Sequence, residues 1–307
     1  MEGIFSWLNQ PLVQDGFIRI WMAIAAGAGL VLVIILMVVL LRKKKKKEEP
    51  DVNEPITEKP APLPVLELAN LQGLGMREEQ QDAFGISRMG RLEEDGLLAV
   101  LCDGMGGMAE GGMIAAETAA EMVGMFPWED DCAVAEWLRQ RSSRVFQQFR
   151  GHGGTTLVAA LIRGQSLSFW CIGDSDLFLL REDKLYALNV RQEFKNDLVL
   201  RALEVAFPVE EAFAGPQAGA LSEYIGKEDV KCDYTYLPFS LQAEDVLLLC
   251  SDGVSDTLTL KQIRETMALS PQACCDKLES EILAAGKANQ DNYTAIVVKY
   301  HGKQEEE

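Results

Sequence analysis

Three aspartates stand within two residues of the end of an apolar run, and this pattern constrains the fold more than any other feature. They are Asp103, Asp252 and Asp291. The runs are short and cover residues 97–102, 245–250 and 293–298. Apolar runs of this length are typical of buried strands. The sequence therefore predicts carboxylates at the ends of buried strands.

A carboxylate in such a place needs a positive partner. Its desolvation costs on the order of several kcal/mol unless a positive group meets it. No Lys or Arg stands immediately beside any of the three aspartates. A hard divalent cation, which prefers oxygen ligands, is the expected counter-charge. Gly104 and Gly253 follow two of the aspartates, and a residue without a Cβ lets the backbone approach a ligand closely.

At these residues the chain resembles the metal-dependent protein Ser/Thr phosphatases, the PPM or protein phosphatase 2C family, in a bacterial, membrane-anchored form. The resemblance covers residues from about Gly73 to Tyr300. Its six motifs occur in the family's order: Arg77 with Gln81-Asp82, Asp103-Gly104-Met105-Gly106-Gly107, Gly154-Thr155-Thr156, Gly173-Asp174-Ser175, Ser251-Asp252-Gly253 with Asp256, and Asp291-Asn292. The implied fold is α+β: an αββα sandwich of two antiparallel sheets flanked by helices, preceded by one transmembrane helix.

The resemblance also implies roles for these residues. Asp103 is expected to bridge two metal ions, Mn²⁺ or Mg²⁺, with the Gly104 carbonyl as another oxygen ligand. Asp252 and Asp291 would complete the first metal site. Arg77 would hold the phosphate oxygens with two parallel donors, which Lys cannot copy; for a lone Arg, a surface ion pair is the ordinary alternative. The ions would orient the phosphoryl group and activate a water.

Asp174 and Asp256 match positions that contribute to a third, weaker metal site in the family; turn capping is the alternative for Asp174. Gln81 stands where the family often has Glu; its neutral amide can hold a metal-bound water but adds no charge, so the second metal would bind more weakly. Further departures are Met108 in place of a frequent His, Asp176 in place of Arg, and the absence of an expected Asp-His pair from residues 188–192.

Composition separates a basic N-terminus from an acidic body. Of the net charge of −18, residues 1–47 contribute +5 and the remainder −23. An acidic body argues against nucleic-acid binding, which needs a basic face. Seven cysteines without a Cys-x-x-Cys pair, and only two histidines, argue against structural zinc and favour a reducing cytosol.

The N-terminal part predicts a membrane anchor. Residues 21–41 carry no charge and would span about 30 Å as a helix. Six positive charges follow at residues 42–47, which predicts that the C-terminal side is cytoplasmic. A cleavable signal peptide is disfavoured because the positive charge follows the apolar run.

The predicted organisation and function follow from these parts. The segments are a short extracytoplasmic N-terminus (1–20), a transmembrane helix (21–41), a basic and then Pro-rich linker (42–64), a phosphatase domain (65–302) and an acidic tail (303–307). The predicted function is hydrolysis of phosphoserine and phosphothreonine in proteins at the cytoplasmic face of the membrane. Substrates of a membrane Ser/Thr kinase are the expected partners, with membrane lipid contacting the anchor. The alternative is a catalytically weak pseudophosphatase that binds phosphoproteins or senses metal.

Overall fold

A computed structural model describes residues 65–105, 110–128, 130, 132–201 and 208–302, which belong to one compact unit covering Leu63–Glu307. Its strands are β1 Leu66–Gly73, β2 Asp82–Ile86, β3 Leu97–Asp103, β4 Leu157–Arg163, β5 Ser166–Ile172, β6 Asp176–Arg181, β7 Lys184–Ala187, β8 Asp233–Tyr234, β9 Phe239–Ser240, β10 Asp245–Cys250 and β11 Tyr293–Tyr300. Its α-helices are α1 Leu92–Asp95, α2 Gly111–Gly124, α3 Cys132–Phe149, α4 Phe194–Leu200, α5 Val209–Ala214, α6 Asp252–Ser255, α7 Leu260–Met267 and α8 Pro271–Ala285, and a 3₁₀ helix covers Met89–Arg91.

The strands form two antiparallel sheets. One sheet has the order β1-β11-β10-β6-β7. The other has the order β2-β3-β4-β5-β8, and the short β9 also pairs with β5. The central strand β10 is buried along its whole length, which explains why its sequence after Asp245 is continuously apolar rather than alternating.

Three apolar cores separate four layers, so the predicted αββα sandwich is confirmed. The inner faces of the two sheets meet around side chains such as Leu101, Val158 and Leu249. The outer face of the β10 sheet packs on α7 and α8. The outer face of the β3 sheet packs on α2 and α3. Each sheet therefore buries both faces, one against the other sheet and one against helices.

Local sequence signals position the C-terminal helices. Thr259 and Gln262 form a capping box that starts α7. Pro271 lies in the first turn of α8, and Gly286 ends that helix in the left-handed conformation. α8 packs against β1 and β11 from outside, and both strands lead to the acidic edge described below.

The predicted membrane span at residues 21–41 lies outside the described residues, as do the linker and the acidic tail. Among the residues that the structure does describe, no helix is long and apolar enough to cross a membrane. The predicted segment boundaries stay predictions.

Candidate metal-dependent active site

Asp103 is the last residue of β3 and lies opposite Asp82, the first residue of β2. The Gly-Thr-Thr motif holds the backbone of Asp103 in place. Thr155 Oγ1 donates to the Asp103 carbonyl oxygen at 2.7 Å, and Asp103 N donates to Thr156 Oγ1 at 3.0 Å. These bonds fix the end of β3, and therefore the position of the Asp103 side chain at that end.

Asp82 joins the two sheets at this edge. Its carboxylate accepts hydrogen bonds from Ser251 Oγ at 2.9 Å and Thr294 Oγ1 at 2.7 Å. Thr294 N donates in turn to Ser251 Oγ at 3.0 Å. Asp82 is 6% exposed. In the sequence Asp82 belongs to the Arg motif and carries no predicted role, because no apolar run precedes it.

The second metal motif lies on the neighbouring sheet. Ser251 follows β10 directly, and Asp252 is the first residue of α6. A Cβ on Gly253 would lie 1.9 Å from the Asn292 carbonyl oxygen, and a Cβ on Gly104 would lie 2.6 Å from that of Gln81. Both glycines therefore permit close backbone packing between motifs, where the sequence had suggested close approach to a ligand.

Asn292 connects the Arg motif to the start of β11. Its Oδ1 accepts from Gln81 N at 2.8 Å, and its Nδ2 donates to the Leu74 carbonyl oxygen at 2.8 Å. Arg77 Nη2 pairs with Asp291 Oδ2 at 2.6 Å, and the two side chains are 49% and 41% exposed. The Asn292 bonds therefore place Arg77 beside the carboxylates. An open cavity of about 180 Å³, lined in part by Arg77, Asp252 and Asp291, lies next to them.

The carboxylates at this edge perturb one another. Burial raises the pKa of Asp103 well above its usual range, and the charges of Asp82, Asp252, Asp174 and Asp291 raise it further. Burial, the largest cause, and nearby acids raise the pKa of Asp82 to about 6, although the hydrogen bonds from Thr294 and Ser251 lower it. Burial and Asp252 raise the pKa of Asp174 to about 7. Like charges collected in a partly buried place need a cation to be stable together.

The donor set suits a hard divalent ion. The carboxylates offer oxygen ligands alone, and the chain's two histidines lie elsewhere: His152 is exposed and His301 pairs with Glu244. In the described part of the chain, no three Asp, Glu, His or Cys side chains already form a group that could hold one ion. Asp291 is paired with Arg77 instead. The ligand roles of Asp103, Gly104, Asp252 and Asp291 stay predictions.

The remaining predicted positions lie at the rim of the cluster. Asp174 precedes β6 and is partly buried, whereas Asp256 directly follows α6 and is exposed. Arg191, to which the sequence motifs assign no role, pairs with Asp176 and Asp256. Gln81 lies on an open cavity beside Arg77, and its predicted role at the second metal also stays a prediction.

Comparisons with known proteins agree with this architecture. A match to the protein phosphatase 2C family covers residues 76–285. Protein phosphatase PhpP of Streptococcus pneumoniae is 31% identical over 252 residues, which are 76% of this chain and 97% of that protein. Serine/threonine phosphatase stp of Listeria welshimeri is 28% identical, over 66% of this chain and 84% of its own.

Solved structures give the same result. The Mycobacterium tuberculosis serine/threonine phosphatase PstP/Ppp superposes with a TM-score of 0.64 at 27% identity, over 77% of this chain and 99% of its own. The catalytic domain of serine threonine protein phosphatase PstP in complex with two manganese ions superposes with a TM-score of 0.60, also at 27% identity, over 76% of this chain and 98% of its own. The chain belongs to the protein phosphatase 2C family and is a Ser/Thr protein phosphatase.

Proposed function

We propose that the chain hydrolyses phosphoserine and phosphothreonine in proteins at the cytoplasmic face of a membrane, and that it needs two Mn²⁺ or Mg²⁺ ions. The observation that carries the metal requirement is the acidic edge itself. Asp82, Asp103, Asp174 and Asp252 have raised pKa values because they are buried and close to other acids. Such a cluster costs stability unless bound cations offset its charge.

In this proposal the chain's own residues divide the work. Asp103, Asp252 and Asp291 hold the ions, and the Gly104 carbonyl and Gln81 add neutral oxygen ligands. When bound, the ions neutralise phosphoryl charge and lower the pKa of a bound water by several units.

Arg77 pairs with Asp291 in the structure and would pair with the substrate phosphate during the reaction. In the structure its partner is Asp291, in a pair that is about half exposed on both sides. Exposed pairs contribute only about 0–1 kcal/mol, so Arg77 can leave Asp291 at little cost when a phosphate arrives. Its two parallel N–H donors then orient the phosphate oxygens, and Asp291 becomes free for an ion.

The membrane part of the proposal depends on residues 1–64. The uncharged run 21–41 followed by six positive charges supports a single span with the phosphatase domain in the cytoplasm. Phosphoproteins modified by a membrane Ser/Thr kinase are the proposed substrates, because an anchored enzyme meets membrane-proximal proteins most often. Basic residues 42–47 would also attract anionic lipid.

The test is turnover by the purified full chain in detergent. p-Nitrophenyl phosphate and a phosphothreonine peptide are assayed with Mn²⁺, with Mg²⁺ and with excess EDTA, and a phosphotyrosine peptide of the same sequence is the control. We expect phosphothreonine hydrolysis that disappears in EDTA and returns with excess Mn²⁺. Full activity in EDTA would contradict the metal mechanism. Turnover at background beside intact Mn²⁺ binding would instead support the pseudophosphatase, which the named phosphatase relatives do not favour.

A further inference from the structure

Arg191 makes the most elaborate ion-pair arrangement near the acidic edge. It lies between β7 and α4 and is mostly buried. Its Nε and Nη2 contact the Asp176 carboxylate at 2.7–3.1 Å, and Nη2 also donates to Ser255 Oγ at 2.7 Å. Its Nη1 donates to Asp256 Oδ1 at 2.6 Å. All three guanidinium nitrogens are therefore used, and two carboxylates share one cation.

The charge of Arg191 reaches the metal cluster. Asp176 begins β6, and Asp256 follows the short helix α6 that Asp252 begins. Burial raises the pKa of Asp174 and of Asp252, and the charge of Arg191 acts in the other direction and lowers both. Burial alone would lower the pKa of Arg191, but Asp176 and Asp256 raise it above its usual value. The guanidinium therefore stays charged at every pH at which the enzyme could work.

Two departures from the family pattern meet at this ion pair. Asp176 stands where the family usually has Arg, and Arg191 lies in the stretch 188–192 where a family Asp is expected. The structure shows that these residues pair with each other. The pair holds β6 to the β7–α4 loop, and the same guanidinium also contacts Asp256.

We propose that Arg191 is the resident cation of the acidic rim formed by Asp174, Asp176 and Asp256, and that it takes the place of a third divalent ion there. The proposal rests on the proposed two-ion centre and limits the number of divalent ions bound at the acidic edge to two. Asp256 already has Arg191 as its cationic partner, and Lys287 Nζ adds positive charge by donating to the Asp256 carbonyl oxygen at 2.7 Å. A divalent ion in reach of Asp174 and Asp256 would face the guanidinium at short range, where like charges repel strongly.

The experiment counts bound ions without using catalysis. The full chain is titrated with Mn²⁺ in the absence of substrate, and the electron paramagnetic resonance signal of free aqueous Mn²⁺ measures how many ions bind. We expect two ions for wild type and three for Arg191→Gln, with the added ion bound roughly tenfold or more tightly than any third ion in wild type. Arg191→Lys keeps the charge and should bind two. Arg191→Gln combined with Asp256→Asn should return the count to two.

A second variant guards against loss of folding. Asp176→Arg combined with Arg191→Asp restores the ion pair in the opposite direction and takes the cation away from Asp256, so it should bind three ions. Three ions bound to wild type would overturn the proposal while leaving the two-ion centre intact. So would two ions bound both to Arg191→Gln and to Asp176→Arg combined with Arg191→Asp. No bound ion on wild type would overturn the proposed function together with this inference.

Discussion

Asp82→Asn removes one negative charge from the acidic edge and keeps its hydrogen bonds. Ser251 Oγ and Thr294 Oγ1 both donate to the same carboxylate oxygen, Oδ2. An asparagine oxygen in that place can accept both bonds. The variant therefore separates the cost of the charge from the benefit of the two hydroxyl contacts.

The size of the effect follows from the pKa of Asp82. Burial raises it from 3.8 to about 6, and a difference of about two units corresponds to about 3 kcal/mol. Because the folded-state pKa is the higher one, the metal-free wild type loses this stability as pH rises from near 4 through about 6. Asn carries no such dependence. We expect metal-free Asp82→Asn to be more stable by up to about 3 kcal/mol near pH 7.5, and the gain to vanish near pH 4.

The assay is denaturant unfolding of both proteins in EDTA at these two pH values. Asp82→Ala is the matched control. It removes the charge and also leaves both hydroxyl donors without their acceptor, at about 1–3 kcal/mol each, so it should be destabilised at low pH and gain much less than Asn at high pH. A gain for Asp82→Asn that is equal at both pH values, or no gain near neutral pH, would refute the reasoning.

Three further predictions concern Arg77, Gln81 and the N-terminus. Arg77→Ala should weaken inhibition by inorganic phosphate but change the Mn²⁺ affinity by no more than about fivefold, because the Arg77–Asp291 pair is worth at most about 1 kcal/mol. Arg77→Lys should recover only part of the phosphate binding. A large loss of Mn²⁺ affinity for Arg77→Ala in a calorimetric titration would contradict the phosphate role. Gln81→Glu adds a charge beside the proposed second ion and should tighten Mn²⁺ binding by roughly tenfold; unchanged affinity would place Gln81 outside the metal site. Protease added to intact cells should leave the phosphatase domain uncut. Loss of that domain from protease-treated intact cells would contradict the proposed topology.

Much of the fold could be predicted from the sequence because local patterns agree with burial. The apolar runs 97–102 and 245–250 are strands buried on both faces, and α7 and α8 begin or end at local signals, the Thr259–Gln262 capping box and Gly286. The carboxylates at strand ends were visible for the same reason, since an Asp after an apolar run is conspicuous.

The contacts between motifs could not be predicted. Asp82 and Thr294 are far apart in the chain, and nothing local indicates that one carboxylate joins both sheets. Asp176 and the missing Asp-His pair at residues 188–192 looked like separate departures until the structure showed that Asp176 pairs with Arg191. Long-range pairing depends on the register of strands from different parts of the chain, which periodicity does not specify.

The central claim is that Asp103 holds the ions that turnover needs. The most direct measurement is thermal melting of wild type, Asp103→Asn and Asp252→Asn with and without Mn²⁺, beside turnover of a phosphothreonine peptide. Both variants should be at least as stable as wild type in EDTA, because each relieves repulsion among partly buried carboxylates.

Mn²⁺ should raise the melting temperature of wild type more than that of either variant, because it binds the folded state alone. Turnover of both variants should fall by roughly a hundredfold or more, since several kcal/mol of charge stabilisation is lost. Asp103→Asn with near-wild-type turnover and an undiminished Mn²⁺ shift would contradict the account.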